Sequence, residues 1–260
     1  MMIKTIVFIG AGNVATQLGL AFKEAGFEIL QVYSRTGKSA TLLSNKLNCF
    51  ATTDIKKIVT HADLYIFSVK DSALSKILRD FEVDNAFAVH TSGSIGLEVF
   101  RGLKLRYGVF YPLQTLSKSV RADFEKIPVC VEAQDVKHLN LLMRMGKKIT
   151  RNVTHVNSQQ RAVMHVAAVF ACNFTNHLYA IADDLMEKEN LSFDLLFPLI
   201  EETLRKVKNH KPYEVQTGPA VRNDKEIMQK HLQQLASLPA YQKIYNFISK
   251  SIIETKKRNS

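Results

Sequence analysis

The sequence has few cysteines and no long apolar run, and both shortages narrow the class of protein. Its three cysteines, Cys49, Cys130 and Cys172, are far apart and form no CxxC pair. Such a set argues against a disulfide framework and against a zinc site, and it is typical of a reducing compartment. No window approaches the roughly 18 apolar residues of a membrane span, and no signal-peptide cleavage pattern follows the first residues. We therefore expect a cytoplasmic protein with no membrane partner and no bound metal.

Acidic residues are scarce relative to basic ones. The 260 residues include 35 Lys and Arg against 24 Asp and Glu, a formal net charge of +11. Such a surplus favours anionic partners. The basic residues are dispersed, with one run at 256–258 and no basic, aromatic-rich motif, so we expect no nucleic-acid partner. A phosphate-bearing cofactor or an acidic small-molecule substrate uses positive charge equally well.

The two halves of the chain have different patterns. Residues 1–155 alternate short β-rich runs with helical patterns, which is typical of a parallel sheet with crossover helices. The predicted strands are Thr5–Ile9, Glu28–Tyr33, Cys49–Ala51, Leu64–Val69, Phe87–Val89, Leu105–Phe110 and Val129–Val131. From about Asn157 the pattern is helical, over 158–187, 193–208, 224–236 and 240–254. We predict a doubly wound, mainly parallel α/β domain over 1–155 and an all-α domain over 156–260.

The predicted helix over 158–187 is unusually long. About 30 residues span roughly 45 Å, more than a helical domain of about a hundred residues can cover by itself. Its excess apolar length needs a partner, which is the first domain, a second subunit or both. We expect a homodimer.

A glycine-rich turn follows the first predicted strand. It consists of Gly10, Ala11, Gly12, Asn13, Val14 and Ala15, a GxGxxA pattern between a buried strand and a helix. The first glycine permits the tight turn, the second lets the backbone approach a pyrophosphate, and the small third residue lets the helix pack on the strand. The amino end of the helix then faces the phosphates. We predict dinucleotide binding; an ordinary glycine-rich turn is the alternative.

No carboxylate follows the second predicted strand, where NAD enzymes usually bind the ribose 2′-hydroxyl. The chain has Ser34, Arg35 and Thr36 there, with Lys38 as a further charge. These side chains can hydrogen-bond or pair with a 2′-phosphate, and arginine can also stack on adenine. The segment therefore predicts NADP rather than NAD; a solvated loop arginine is the alternative.

Two further strand ends carry polar residues. Ser68, Val69 and Lys70 end the fourth predicted strand, and ligands of a doubly wound sheet lie outside the carboxyl ends of its strands. We expect these three to line the nicotinamide-ribose side of the site. Asp71 is expected to cap the next helix rather than to act in catalysis. His90 is either a general acid or a histidine satisfied by local backbone.

Polar residues interrupt the apolar face of the 158–187 helix. At 100° per residue His165, Cys172 and Asn176 fall within about 20° of one another, with Asn173 about 80° from His165. They either hydrogen-bond in a dimer core or face the cleft. Hydride transfer to a carbonyl or imine requires a proton donor, and histidine suits that role.

Several segments resemble a known family. GAGNVA, ADLYIFSVKDSAL, VHTSGS and YPLQTLS resemble the Rossmann-like domain of a group of NADP oxidoreductases, and MHVAAVFACNFTNHLYAIADDLM and TGPAVRND resemble that group's helical domain of unknown function. The group is similar to pyrroline-5-carboxylate reductase, ketopantoate reductase and the β-hydroxyacid dehydrogenases. The resemblance implies a Rossmann fold followed by an all-α domain of the 6-phosphogluconate-dehydrogenase-like type.

The resemblance also bears on the catalytic residues. Related dehydrogenases place a catalytic pair on the first interdomain helix, which implies His165 as proton donor and Asn173 as the residue that orients the acceptor. The β-hydroxyacid dehydrogenases have a lysine four residues before that asparagine, whereas this chain has Val169. Related sequences commonly read His-Pro-Leu where this chain has Tyr111 at the first position. His90 and Tyr111 are the next candidates for the donor.

The leading interpretation is an NADP-dependent oxidoreductase that transfers a hydride between NADP(H) and a small keto, imino or hydroxy acid. Arg222 either clamps the carboxylate of such a substrate or pairs with Asp224. The alternative function is a dinucleotide-binding regulatory or scaffold protein that keeps the fold without turnover.

Overall fold

The computed structural model describes residues 2–259. The chain divides into two compact units, Met1–Asn173 and Phe174–Ser260. This division falls later than the predicted one at 155/156. The reason is that the helix beginning at Ser158 is bonded to the sheet of the first unit, since Arg161 contacts the strand residue Glu132.

The first unit is built on one eight-stranded sheet. Its strands are β1 (Thr5–Ile9), β2 (Glu28–Tyr33), β3 (Phe50–Thr52), β4 (Leu64–Phe67), β5 (Phe87–His90), β6 (Arg106–Pro112), β7 (Val129–Ala133) and β8 (Val153–His155). They lie in the order β3-β2-β1-β4-β5-β6-β7-β8, and every neighbouring pair is parallel except β6 with β7. The predicted doubly wound, mainly parallel sheet is confirmed. β8 is an additional strand that the sequence pattern did not predict.

Both faces of this sheet are covered by helices. They are α1 (Asn13–Glu24), α2 (Gly37–Leu47), α3 (Asp71–Arg79) and α4 (Val136–Gly146), and a fifth helix, α5 (Ser158–Ala168), is bonded to the sheet through Arg161. Ile6 and Phe8 of β1 belong to one hydrophobic core, with α1, α2 and α4, and Val7 and Ile9 belong to the other, with α3. Burial on both faces is what a parallel sheet requires, and it explains why these strands are apolar throughout.

The second unit is helical, as predicted. Its helices are α6 (Thr175–Lys188), α7 (Phe197–Asn209), α8 (Pro219–Arg222), α9 (Lys225–Gln234) and α10 (Pro239–Asn259). Within residues 2–259, no helix is long and apolar enough to cross a membrane.

The predicted single helix over 158–187 is interrupted. It begins as α5 with a capping box, in which Asn157 and Gln160 satisfy each other's backbone N–H groups. A π-helical segment, Val169–Phe174, then separates α5 from α6. Because a π-helix bonds residue i to i+5, the 100° spacing does not hold across it. The prediction that His165, Cys172 and Asn176 share one stripe assumed an uninterrupted α-helix, and that assumption is wrong.

Candidate functional site

The carboxyl ends of the central strands are joined by backbone hydrogen bonds. The N–H of Gly10 donates to the carbonyl of Tyr33, at 2.8 Å, and the N–H of Ser68 donates to that of Ile9, also at 2.8 Å. β1 is followed by β2 on one side and has β4 on the other, so the strand order reverses here. A crevice at such a reversal is where doubly wound sheets bind their ligands.

The glycine turn fits a pyrophosphate. Gly10 has a φ of +119°, and a Cβ at this position would lie 2.7 Å from the carbonyl carbon of Ser68, so a side chain cannot be accommodated. A Cβ on Gly12 would meet nothing within 4 Å, which leaves open space above the backbone. Gly12 is the N-cap of α1, and no side chain of the described residues caps that helix. The N–H groups of its first turn are thus available to an anion.

The end of β2 offers positive charge and free donors. Ser34 is half-buried and its N–H donates to the carbonyl of Thr52, at 3.1 Å, whereas Arg35, Thr36 and Lys38 are exposed. Thr36 is the N-cap of α2, but its side chain makes no capping bond, and the first turn of α2 contains no acidic residue. The hydroxyl, the guanidinium and the amino end of α2 together suit a phosphate group.

The ends of β4 and β5 form the next part of this edge. The Ser68 side chain is buried, and the hydroxyl of Thr91 donates to its Oγ at 3.2 Å. Val69 is half-buried and Lys70 is exposed. Lys70, not Asp71, is the N-cap of α3, so the predicted cap is displaced by one residue. Asp71 lies in the first turn of α3, where its carboxylate accepts a hydrogen bond from the Ser94 hydroxyl.

His90 is fully buried at the end of β5. The N–H of Ser92 donates to its Nδ1 at 3.2 Å, and its ring stacks on Phe100 with a centroid distance of 5.7 Å. Burial and the nearby positive charge of Arg161 lower the pKa of His90 to about 3. The imidazole is therefore neutral at physiological pH and holds no proton that it could release as an imidazolium.

His165 lies beside Tyr111. The Nδ1 atom of His165 and the hydroxyl oxygen of Tyr111 are 3.1 Å apart, and both residues are half-buried. Gly93, in the loop after β5, touches both rings: a Cβ there would lie 2.6 Å from Nδ1 of His165 and 2.9 Å from Cζ of Tyr111. The first unit thus contains two titratable side chains in contact at the carboxyl edge of β5 and β6.

The comparisons with known proteins agree with this geometry. Residues 5–91 match the family described as NADP oxidoreductase, coenzyme F420-dependent, and residues 127–252 match a domain of unknown function, DUF2520. A solved structure from Bacteroides fragilis, named a "putative NADP oxidoreductase", is 46% identical, with a TM-score of 0.92 over 96% of this chain and 98% of that chain. The chain belongs to the family of this Bacteroides fragilis protein, a family of NADP oxidoreductases. The expected resemblance and the NADP cofactor are thereby confirmed.

More distant structures share the fold. An imine reductase from Myxococcus stipitatus in complex with NADP+ is 16% identical, with a TM-score of 0.69 over 98% of this chain and 94% of that chain. A pyrroline-5-carboxylate reductase from Coxiella burnetii is 14% identical, with a TM-score of 0.58 over 98% of both chains. No curated protein matches the sequence. At these identities the two structures show a common fold.

A buried ion pair of this oxidoreductase was missed by sequence reasoning. Arg161 is 1% exposed and donates to the carboxylate of Glu132, at 2.5 Å, and to the carbonyl of Ile95, at 2.6 Å. The same carboxylate accepts the N–H of Ser158 at 3.0 Å and its hydroxyl at 2.8 Å. The sequence signal was a lone glutamate in the otherwise apolar run of β7, which requires a partner when buried.

Two other sequence-based candidates are exposed. Asn173 is exposed in the π-helical segment, and no hydrogen bond in the described chain joins it to His165. Arg222 is exposed in the second unit. Asp224 caps α9 by accepting the N–H of Ile227, at 3.2 Å, and the ion pairs found among residues 2–259 do not include Arg222 with Asp224.

Proposed function

We propose that this NADP oxidoreductase transfers a hydride between NADP(H) and a small keto, imino or hydroxy acid. The observation that carries the proposal is that one edge of one sheet combines a phosphate-fitting turn with a pair of titratable side chains. When bound, NADPH supplies the hydride, so the protein must orient the acceptor and supply a proton. An acidic substrate fits the net charge of +11.

The proposed cofactor residues follow the strand ends. They are Gly10, Ala11, Gly12, Asn13 and Val14 at the pyrophosphate, Ser34, Arg35 and Thr36 at the 2′-phosphate, and Ser68, Val69 and Lys70 on the nicotinamide-ribose side. The glycine turn is proposed to bind the pyrophosphate through backbone N–H groups, which no side-chain cap occupies. Arg35 and Thr36 are proposed to bind the 2′-phosphate through their side chains, and the Thr36 side chain makes no capping bond to α2. The hydroxyls of Ser68 and Thr91, which are hydrogen-bonded to each other, are the proposed partners of the neighbouring ribose.

His165 is the proposed proton donor, because it is half-buried beside the ligand-binding edge and is paired with a phenol. The full burial of His90 and its lowered pKa argue against a role as imidazolium donor. Asn173 is proposed to orient the acceptor on the strength of its position along the chain and the resemblance to related dehydrogenases.

Cofactor titrations test the 2′-phosphate site. Loss of charged hydrogen bonds should weaken NADPH binding to Arg35→Ala by about 10- to 100-fold and leave NADH binding nearly unchanged. Arg79→Ala is the matched control, because Arg79 is an exposed arginine in the last turn of α3, at the opposite end of that helix from the ligand edge. Equal affinity of the wild type for NADPH and NADH would contradict the proposal.

A homodimer is proposed through the second unit. Within residues 174–259 the buried residues are Ala220, Leu235 and Ser249, too few for an independent hydrophobic core. α7 carries exposed apolar residues on one stripe, including Phe197, Leu204 and Val207. A second copy of the chain offers the same apolar surface in a self-complementary arrangement.

Light scattering tests the dimer. Leu204→Asp should shift the protein toward monomer, because it places a charge on the apolar stripe, whereas Thr203→Asp adds the same charge beside the stripe and should leave the dimer intact. A monomeric wild type at micromolar concentration would contradict the proposal.

We also propose a cytoplasmic location, which the three free cysteines support. Recovery of the protein outside the cytoplasmic fraction of cells would contradict it.

A further inference from the structure

We infer that Tyr111 is a positioning residue for the proton donor: its hydroxyl holds Nδ1 of His165, so that Nε2 presents the proton to the acceptor. The inference rests on the proposed function, in which His165 is the donor. It adds the residue that fixes the orientation and tautomer of His165, a role that neither the sequence pattern nor the family match assigns.

The register of the sheet puts Tyr111 at the ligand edge. His90, the last residue of β5, pairs with Val109 of β6, and β6 continues to Pro112. Tyr111 therefore stands beyond the end of β5, level with the loop that contains Gly93. Alternate residues of a strand share a face, so Tyr111 is on the same face as Val109 and His90.

The Tyr111–His165 pair packs against the backbone of the loop after β5. Gly93 is buried, and its missing side chain is the reason that both rings fit: a Cβ would approach Nδ1 and Cγ of His165 to 2.6 and 2.8 Å. Contacts below 3.0 Å require something to move, and here the nearest atoms belong to two rings already in contact with each other. Both rings therefore pack directly against the backbone of Gly93.

The helix that carries His165 is fixed one turn earlier. Arg161 binds the carbonyl of Ile95, at 2.6 Å, and the N–H of Leu97 donates to the hydroxyl of Ser158, at 3.1 Å. These bonds tie α5 to the same loop that contains Gly93. The backbone of His165 is thus held by the buried ion pair, and the orientation of its ring is left to Tyr111.

A phenol suits this role because it can donate or accept a hydrogen bond. Burial raises the pKa of Tyr111, so the hydroxyl keeps its proton. Its oxygen can accept a hydrogen bond from Nδ1–H of the imidazolium and of the neutral ring that remains after Nε2 has released its proton. In the transfer the imidazolium, which has a hydrogen on each nitrogen, loses the one on Nε2: the Nε2–H bond breaks, its electron pair stays on the ring, and the proton bonds to nitrogen or oxygen of the acceptor. The ring that remains is neutral and has its hydrogen on Nδ1, from which it donates a hydrogen bond to the Tyr111 oxygen.

The tautomer of His165 tests the inference without substrate or cofactor. Heteronuclear NMR of the imidazole nitrogens should show that the neutral ring of His165 has its hydrogen on Nδ1, and the signal is assigned by its loss in His165→Gln. Tyr111→Phe should convert it to a mixture of tautomers. Tyr107→Phe is the matched control, because Tyr107 lies on the same strand and face but stacks on Phe100. A neutral wild-type ring with its hydrogen on Nε2, or an unchanged tautomer in Tyr111→Phe, would overturn the inference.

Kinetics provides the second readout. His165→Gln should lower kcat by about 10²- to 10⁴-fold, and Tyr111→Phe by about tenfold with KM unchanged. Because Tyr111 acts through His165, the double variant should be no slower than His165→Gln. Multiplied losses would show that Tyr111 acts independently and would refute the inference. If the wild type reduces no acceptor, the proposed function fails, and the tautomer still decides the role of Tyr111.

Discussion

Breaking the Arg161–Glu132 pair should be the most damaging polar substitution in the first unit. The side chains are 1% and 10% exposed, and Glu132 also accepts both hydrogen bonds from Ser158. Removing one member of a buried pair leaves the other charge without compensation, which costs about 3–5 kcal/mol. Since whole domains are stable by only about 5–15 kcal/mol, Arg161→Met should remove a large part of the free energy of unfolding.

A surface ion pair supplies the control. Arg151 pairs with Glu125, but their side chains are 81% and 57% exposed, so Arg151→Met should cost at most about 1 kcal/mol. The double variant Arg161→Met with Glu132→Leu removes both buried charges and should recover much of the stability lost in Arg161→Met alone.

The assay is urea denaturation followed by circular dichroism, because the protein has no tryptophan for fluorescence. If the midpoint falls while the slope of the unfolding free energy against urea concentration is unchanged, the substitution has lowered the stability and has not changed the compactness of the folded or unfolded state. If Arg161→Met loses no more stability than Arg151→Met, the pair is not the buried anchor of α5 and the argument from its burial is refuted.

Three further predictions concern single residues. Gly93→Ala should displace the Tyr111–His165 pair and lower kcat roughly hundredfold with unchanged NADPH affinity, so full activity would contradict the described contact. Gly10→Ala should abolish NADPH binding in titrations, because its Cβ would overlap Ser68; retained affinity would disprove the described turn. Because the pKa of His90 falls from 6.5 to about 3 on folding, the unfolded chain alone binds its proton between these values, and stability should fall by about 1.4 kcal/mol for each unit that the pH drops below 6.5. His90→Asn should lack this pH dependence of the free energy of unfolding, measured by urea titrations at several pH values. The same dependence in the wild type and in His90→Asn would contradict the burial of His90.

Local patterns account for what could be predicted from the sequence. The glycine turn after β1, the absence of a carboxylate after β2 and the polar end of β4 each depend on a few consecutive residues and on the rule that parallel strands bind ligands at their carboxyl ends. The buried strands were recognisable because both of their faces are apolar.

Features that depend on distant residues could not be predicted. The Tyr111–His165 contact requires the register of β6 on β5 and the docking of α5, which join residues 54 positions apart. The Arg161–Glu132 pair depends on the same docking. The π-helical segment, Val169–Phe174, breaks the 100° spacing of the predicted helix, although its residues are mostly apolar like those of α5. β8 has only three residues, too few for a period-two pattern to be distinguished.

Deuterium transfer is the most direct test of the proposed chemistry. NADPH carrying deuterium at the transferred position is mixed with the wild-type protein and a panel of small keto and imino acids, and the products are analysed by mass spectrometry. The account predicts one deuterium in the product of an accepted substrate, with the rate strongly reduced in His165→Gln. Tight NADPH binding with no deuterium in any product would contradict the oxidoreductase proposal for this panel and favour a dinucleotide-binding protein without turnover.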